Sequence, residues 1–315
     1  MDLSLRGFPL VRVFTTMQNF FQILVSGISV GMIYGVIAFG YQLTFATSKT
    51  LNFGQGEALT LGALVGLTVV NFLIGMKLGT FAAYLLALPL VFAFGLAQGS
   101  VVEWLGVRQA MKTKSEAGWI MATIALGIIF KNLAENIWGK DPLKFPSPLS
   151  ENPLTIMGVN IRPMEIAIVL GALAMMLAVE LFNRRSIYGK AVVATSNDRD
   201  AAGLMGINTS LVITFSYALS SLSAALAGVL VAPITLTGAS MGAALGLKAF
   251  AVAIIGGLSS GMGVVVGGLI LGITESLTGF YIDTGYKDVP GLILLLLVLS
   301  LKPAGLFGKA AIKKV

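Results

Sequence analysis

Cysteine and histidine are both missing from the 315 residues. Their absence excludes disulfides, thiolate chemistry and a Ser-His catalytic pair, and it removes the usual nitrogen and sulfur ligands of zinc. Charged residues are scarce, at 11% of the chain, against roughly 25% in a soluble domain. A G-x-x-x-x-G-K-[ST] phosphate loop is lacking too, which excludes a P-loop ATP site in this chain. An enzyme is not expected, and neither is a cofactor of the chain's own.

What fills the chain instead is hydrocarbon. Hydrophobic residues make up 56% of it, in runs long enough to cross a bilayer core of about 30 Å. The runs recur from residue 20 to residue 302 with no polar segment long enough to fold alone. The expectation is an all-α polytopic membrane protein, one domain over residues 1–315. It should have eight to nine transmembrane segments, re-entrant or broken helices among them. The N-terminal segment shows no A-x-A cleavage pattern, and the apolar run after it is too long for a signal peptide, so it should be retained. The 38 glycines suit helices packed backbone to backbone. Gly27, Gly31 and Gly35, four apart, should mark a face of the first span that meets another helix. Gly256, Gly257, Gly261, Gly263, Gly267, Gly268 and Gly272 should pack helices rather than touch a solute.

The formal net charge of +7 does not imply a nucleic-acid partner, because Lys and Arg sit beside apolar spans, where they set orientation. If residues 184–208 are cytoplasmic and residues 245–258 cross the membrane, twelve basic residues lie inside, Lys49, Arg108, Arg184, Arg185 and Lys302 among them. Seven lie outside, Arg6 and Lys287 included. If 248–258 only re-enters, the C-terminal basic cluster falls outside, against that bias.

Several polar features interrupt the apolar pattern. In TSKTLNFGQGEALT, Asn52, Gln55 and Glu57 alternate with Gly54 and Gly56. A helix there would lose stability to two glycines and turn a carboxylate toward lipid, so a break or re-entrant turn, buried in protein or lining a wet cavity, is expected, with a solvated loop as the plainer reading. Lys131 and Glu135, at i and i+4, should form an interfacial ion pair. Lys248 and Glu275 are further ionisable residues within apolar spans. TIMGVNI, in a proline-rich stretch, suggests a hairpin around Met157 to Asn160.

Residues 184–208, RRSIYGKAVVATSNDRDAAGLMGIN, carry the longest polar interruption of the C-terminal half. Ser196 or Asn197 could cap a short helix with Asp198 and Asp200 in its first turn, and Gly206 and Asn208 suit its end. Ala201, Leu204 and Met205 would form its apolar face, small enough for a groove on another protein.

Asp200 to Gly206 reads D-A-A-x-x-x-G, which resembles the EAA-x-x-x-G loop of ABC importer permeases, with Asp for Glu and without the later hydrophobic-Pro portion. LNFGQGEALTLGA (51–63), GKAVVATSNDRDAAGLMGIN (189–208), KAFAVAIIGGLSSGMGVVVGGLILGITESL (248–277) and YKDVPGLILLLLVLSLKPAGLFG (286–308) resemble the permeases of branched-chain amino acid ABC importers of the Liv type, the shorter of the two permeases in particular. The resemblance implies an ATP-driven importer in the plasma (inner) membrane. Its other parts would be a second, homologous permease, giving a heterodimer, two cytoplasmic ATPase subunits that bind the ATP, and an extracytoplasmic solute-binding protein. It also implies a coupling helix that docks on an ATPase, here Asp198, Arg199, Asp200, Ala201, Ala202, Gly203, Leu204, Met205 and Gly206. Asn52, Gln55, Glu57, Lys248 and Glu275 are then the candidates for the solute path. The alternatives are a secondary transporter or channel without an ATPase, in which Glu57 and Glu275 would hold a coupling ion, and a non-transporting membrane scaffold.

Overall fold

The computed structural model describes residues 9–112, 117–156 and 158–308. The helices are α1 (Pro9–Ser48), α2 (Gln55–Gly75), α3 (Thr80–Val102), α4 (Arg108–Lys112), α5 (Gly118–Trp138), α6 (Pro163–Arg185) and α7 (Ile187–Asn197). They continue as α8 (Arg199–Leu204), α9 (Thr209–Val231), α10 (Met241–Gly256), α11 (Gly261–Tyr281) and α12 (Val289–Leu301). A π-helical turn, Glu103–Val107, joins α3 to α4. The hairpin pairs β1 (Leu154–Ile156) antiparallel with β2 (Val159–Ile161), in the stretch where alternation suggested it. Met157 lies outside the described residues, as do Arg6, residues 113–116 and residues 309–315.

Eight helical stretches among the described residues are long and apolar enough to cross a membrane. Helices are what such sequences must form, because hydrocarbon offers no partner to an unpaired backbone amide. α1 and α9 bury 72% and 78% of their most apolar windows, whereas α5, α6 and α12 bury only 17%, 17% and 11%. The first pair is therefore the axis of the bundle, and the other three face outward.

Small residues decide which helices touch. A β-carbon on Gly27 would stand 2.8 Å from the Ile273 Cα, and Gly31 and Gly35 back onto Gly268 and Val264. The expected glycine face of α1 thus meets α11. Gly256 and Gly263 seat α10 on α11 with Gly267 beside them, and Gly268 and Gly272 complete the contact of α11 with α1.

α10 begins at Met241, earlier than the sequence suggested, and reaches only about 24 Å. The turn after it contains Gly257, whose φ of +101° is open to glycine at little cost. α11, with 21 residues or about 31 Å, is long enough to cross, so this turn and the end of α11 at Tyr281 lie at opposite ends of the bundle. The C-terminal segment reaches the end that holds the turn, where Leu306 N donates to Ile255 O at 2.8 Å and Phe307 N to Gly256 O at 3.1 Å. Following the alternation of spans, the end that carries α8 holds Lys49, Arg108, Lys112, Arg184, Arg185, Lys190, Arg199 and Lys302. The other end holds Lys77, Lys140, Lys144, Arg162 and Lys287. That bias marks the α8 end as cytoplasmic.

Candidate functional site

At the cytoplasmic end, the stretch expected to be a loop and one short helix is two helices. Ser186 caps α7 by accepting from Gly189 N at 2.8 Å. α7 then runs through Asn197, and Ser196 Oγ donates to Val193 O within it. Neither Ser196 nor Asn197 is therefore the cap of α8. That role falls to Asp198, whose Oδ1 accepts from Asp200 N at 3.1 Å and Ala201 N at 3.0 Å. The carboxylate placed by sequence in the first turn instead sits one step earlier, where its backbone is extended and its side chain satisfies two orphan amides. Gly206, at φ +85°, ends the turn, and Asn208 Oδ1 caps α9 through Leu211 N at 3.1 Å. Ala202 faces the bundle and is buried, while Leu204 and Met205 are 91% and 84% exposed. The short helix holds two large apolar side chains away from the rest of the chain.

α1 ends at Ser48, at the α8 end of the bundle, and α2 begins only at Gln55. Gln55 lies against Gly40, about 12 Å back along α1, so the chain folds inward before α2 starts. Gln55 Nε2 donates to Ser220 O at 2.8 Å, and Ser220 Oγ donates to Gln55 Oε1 at 2.9 Å and Gly40 O at 2.8 Å. Ser220 is the twelfth of the 23 residues of α9, which sets the break at the middle of a span. Asn52 Oδ1 accepts from Gly54 N at 3.0 Å. The break is thus buried in protein and is not a solvated loop. Asn52 and Gln55 are fully covered and spend their polar atoms on holding it. Glu57 differs: it is buried in the first turn of α2, its Oε2 has no hydrogen-bond partner among the described residues, and its Cγ lies beside Gly127 of α5. Phe53 stacks on Trp119 and tilts against Phe250, with ring centroids 6.1 and 5.3 Å apart.

Nearer the outer surface, Lys248 and Glu275 meet. Lys248 Nζ lies 3.0 Å from Glu275 Oε2, 2.6 Å from Asp288 Oδ1 and 3.3 Å from Tyr34 Oη. Tyr34 Oη in turn donates to Glu275 Oε2 at 2.8 Å. Lys248 therefore pairs within the bundle and does not snorkel outward. Lys131 and Glu135 form the expected ion pair, with a loose separation of 3.9 Å.

The path candidates therefore form two groups, Asn52, Gln55 and Glu57 at the break and Lys248 with Glu275 above it. Sequence reasoning missed Ser220, Tyr34 and Asp288. A run of serines, Ser216, Ser220, Ser221 and Ser223, inside an apolar span was the available signal for the first. It also missed a cytoplasmic tie that joins the π-helical turn and α4 to α9. Arg108 grips buried Glu103 through Nε and Nη2 at 3.0 and 2.8 Å, and Thr214 Oγ1 donates to Glu103 Oε2 at 2.8 Å.

A family model described as the permease component of branched-chain amino acid transport systems matches residues 23–300. The high-affinity branched-chain amino acid transport system permease protein LivH of Escherichia coli K12 is 32% identical over 310 residues, covering 94% of this chain and 98% of LivH. BraD of Pseudomonas aeruginosa, with the same description, is 29% identical over 94% of this chain and 98% of its own length. A probable LivH from Methanocaldococcus jannaschii is 28% identical over 87% and 88% of the two chains. No solved structure matches.

Proposed function

The chain belongs to the family of permease components of branched-chain amino acid transport systems, and on that premise we propose that it is one membrane domain, residues 1–315, of an ATP-driven importer for branched-chain or related amino acids. Its partners are a second permease, two cytoplasmic ATPase subunits that bind the ATP, and an extracytoplasmic solute-binding protein. The observation that carries the coupling is the exposure of Leu204 and Met205 on a helix capped by Asp198 at the cytoplasmic end. An exposed apolar tip of this kind, with Arg199 beside Leu204, suits a surface that another protein covers.

The path runs past the mid-membrane break. Solute sites in transporters use discontinuous helices because a helix interrupted in mid-membrane offers backbone groups and dipole ends to a polar solute. Asn52 and Gln55 hold the break, and Glu57, with its unpartnered oxygen, is the residue that faces the solute once the neighbouring α5 moves. ATPase subunits that bind two permease conformations unequally shift the population between them, and α8 is the lever through which they do so.

Uptake into proteoliposomes containing both permeases and both ATPases, with binding protein added, tests this reading. Leucine should accumulate only with ATP on the α8 side. Accumulation without ATP, or from this chain alone, would establish a secondary transporter instead.

A further inference from the structure

Between the outer parts of α1, α9, α10 and α11 lies a cavity of about 440 Å³. This is within the range of roughly 300–1,000 Å³ of small-molecule sites. Its wall is aliphatic, with Val30, Ile33, Val231, Ile234 and Leu245. The remaining polar lining includes two cations, Lys248 and Lys287, and two carboxylates, Glu275 and Asp288, so these side chains are formally neutral together while the charges stay separate. Glu275 is the fifteenth of the 21 residues of α11, which puts the charged floor about 9 Å from the outer end of that helix.

The two carboxylates on Lys248 are not equivalent. Glu275 is buried and also holds Tyr34, so it fixes the ammonium from behind. Asp288, at 61% side-chain exposure, stands on the segment just before α12 and meets Lys248 from the open side. Asp288 is the carboxylate that water reaches, whereas Glu275 is buried, and an exposed partner adds little to an ion pair, so Asp288 is the replaceable one. An incoming carboxylate that takes its place leaves Asp288 free to bind an ammonium group. One internal pair is thereby exchanged for two pairs to the solute, with no charge left unpaired.

Building on the transport reading above, we propose that this cavity is an outer binding site for a zwitterionic α-amino acid with an aliphatic side chain. The solute carboxylate goes to Lys248, its ammonium to Asp288, and its side chain to the wall of Val30, Ile33 and Ile234. A carboxylate without an amine brings net charge into a neutral cavity and leaves Asp288 without its lysine. An amine without a carboxylate must compete with Lys248 for the same acids. Both lose the paired arrangement, which is how the site discriminates.

The chain has no cysteine, so Thr235→Cys, at the cavity lining, is the one thiol of this subunit, and labelling is read on its own band after the subunits are separated in denaturing gel. The assembled permease–ATPase complex in proteoliposomes, without binding protein, is labelled with a charged maleimide. Leucine, 4-methyl-2-oxopentanoate or 3-methylbutylamine is present at equal millimolar concentration. Leucine should slow labelling by at least about tenfold and the two analogues by less than about twofold; Asp288→Asn, at an exposed position, should abolish the leucine effect. Equal protection by all three, no protection by leucine, or protection that survives Asp288→Asn overturns the site. ATP-driven uptake is measured on the same vesicles with binding protein added. Uptake without protection refutes the site alone, and leucine protection without uptake upholds the site and refutes the transport reading.

Discussion

Leu204→Ala separates docking from folding. In the free subunit Leu204 is 91% exposed, so its truncation takes almost nothing from the bundle. An exposed substitution of this kind shifts stability by no more than about 0.5 kcal/mol. In the proposed complex the same side chain would be covered, and the loss would be roughly three methylene equivalents at about 0.8 kcal/mol each, or up to about 2.4 kcal/mol. At 1.4 kcal/mol per tenfold, that corresponds to about 50-fold weaker binding of the ATPase. The assay is a titration of labelled ATPase onto the detergent-solubilised permease pair, with thermal unfolding of the permease measured alongside. A dissociation constant raised by one to two orders of magnitude at unchanged Tm is the expected result. A change below about threefold would mean that Leu204 is not in the interface, and a fall in Tm would mean that it supports the fold.

Asp198→Ala removes the cap of α8, worth about 1 kcal/mol, and should weaken ATPase binding by about fivefold in the same titration. Asp200→Arg and Gly206→Pro should uncouple ATP hydrolysis from uptake while the membrane domain stays folded, the second because proline cannot adopt the φ of +85° found there. Normal ATP-driven uptake in both variants would remove α8 from the mechanism. Glu57→Gln should lower the uptake rate at least tenfold while the two permeases and ATPases still co-purify. Ser220→Ala removes the 2.9 Å donor to the buried Gln55 Oε1, which keeps Asn52 Nδ2 at 3.4 Å, and should cost about 1 kcal/mol, read as a lower Tm in detergent.

The spans, the break and the glycine face of α1 were legible because each is a local pattern: an apolar run, two glycines among polar residues, glycines four apart. The capped helix was legible in kind, but its cap was misplaced by one or two residues. Asp198, Asn197 and Ser196 are all good caps, and only the extent of α7 decides among them. α7 itself was missed because IYGKAVVATSN mixes glycine with β-branched residues of weak helix propensity. Its packing against α1, α6 and α9 holds it as a helix. The partners of Lys248 were beyond sequence reasoning for a different reason. Asp288 is 40 residues away and Tyr34 is 214, and no spacing rule reaches across separate spans. The same holds for Thr214, which lies 111 residues from Glu103.

In the proposed mechanism a docking helix at the cytoplasmic surface is linked to a break in mid-membrane, and nucleotide-dependent access at the break tests that link most directly. A single cysteine at Phe53, beside Asn52, is introduced into this cysteine-free chain. It is probed with membrane-impermeant maleimide from each side of reconstituted vesicles, with and without a non-hydrolysable ATP analogue. The expected result is that the analogue changes the side from which the cysteine is labelled, and that Leu204→Asp in the same chain abolishes the change. Labelling indifferent to nucleotide, or a switch that persists with Leu204→Asp, would contradict the coupling of α8 to the path.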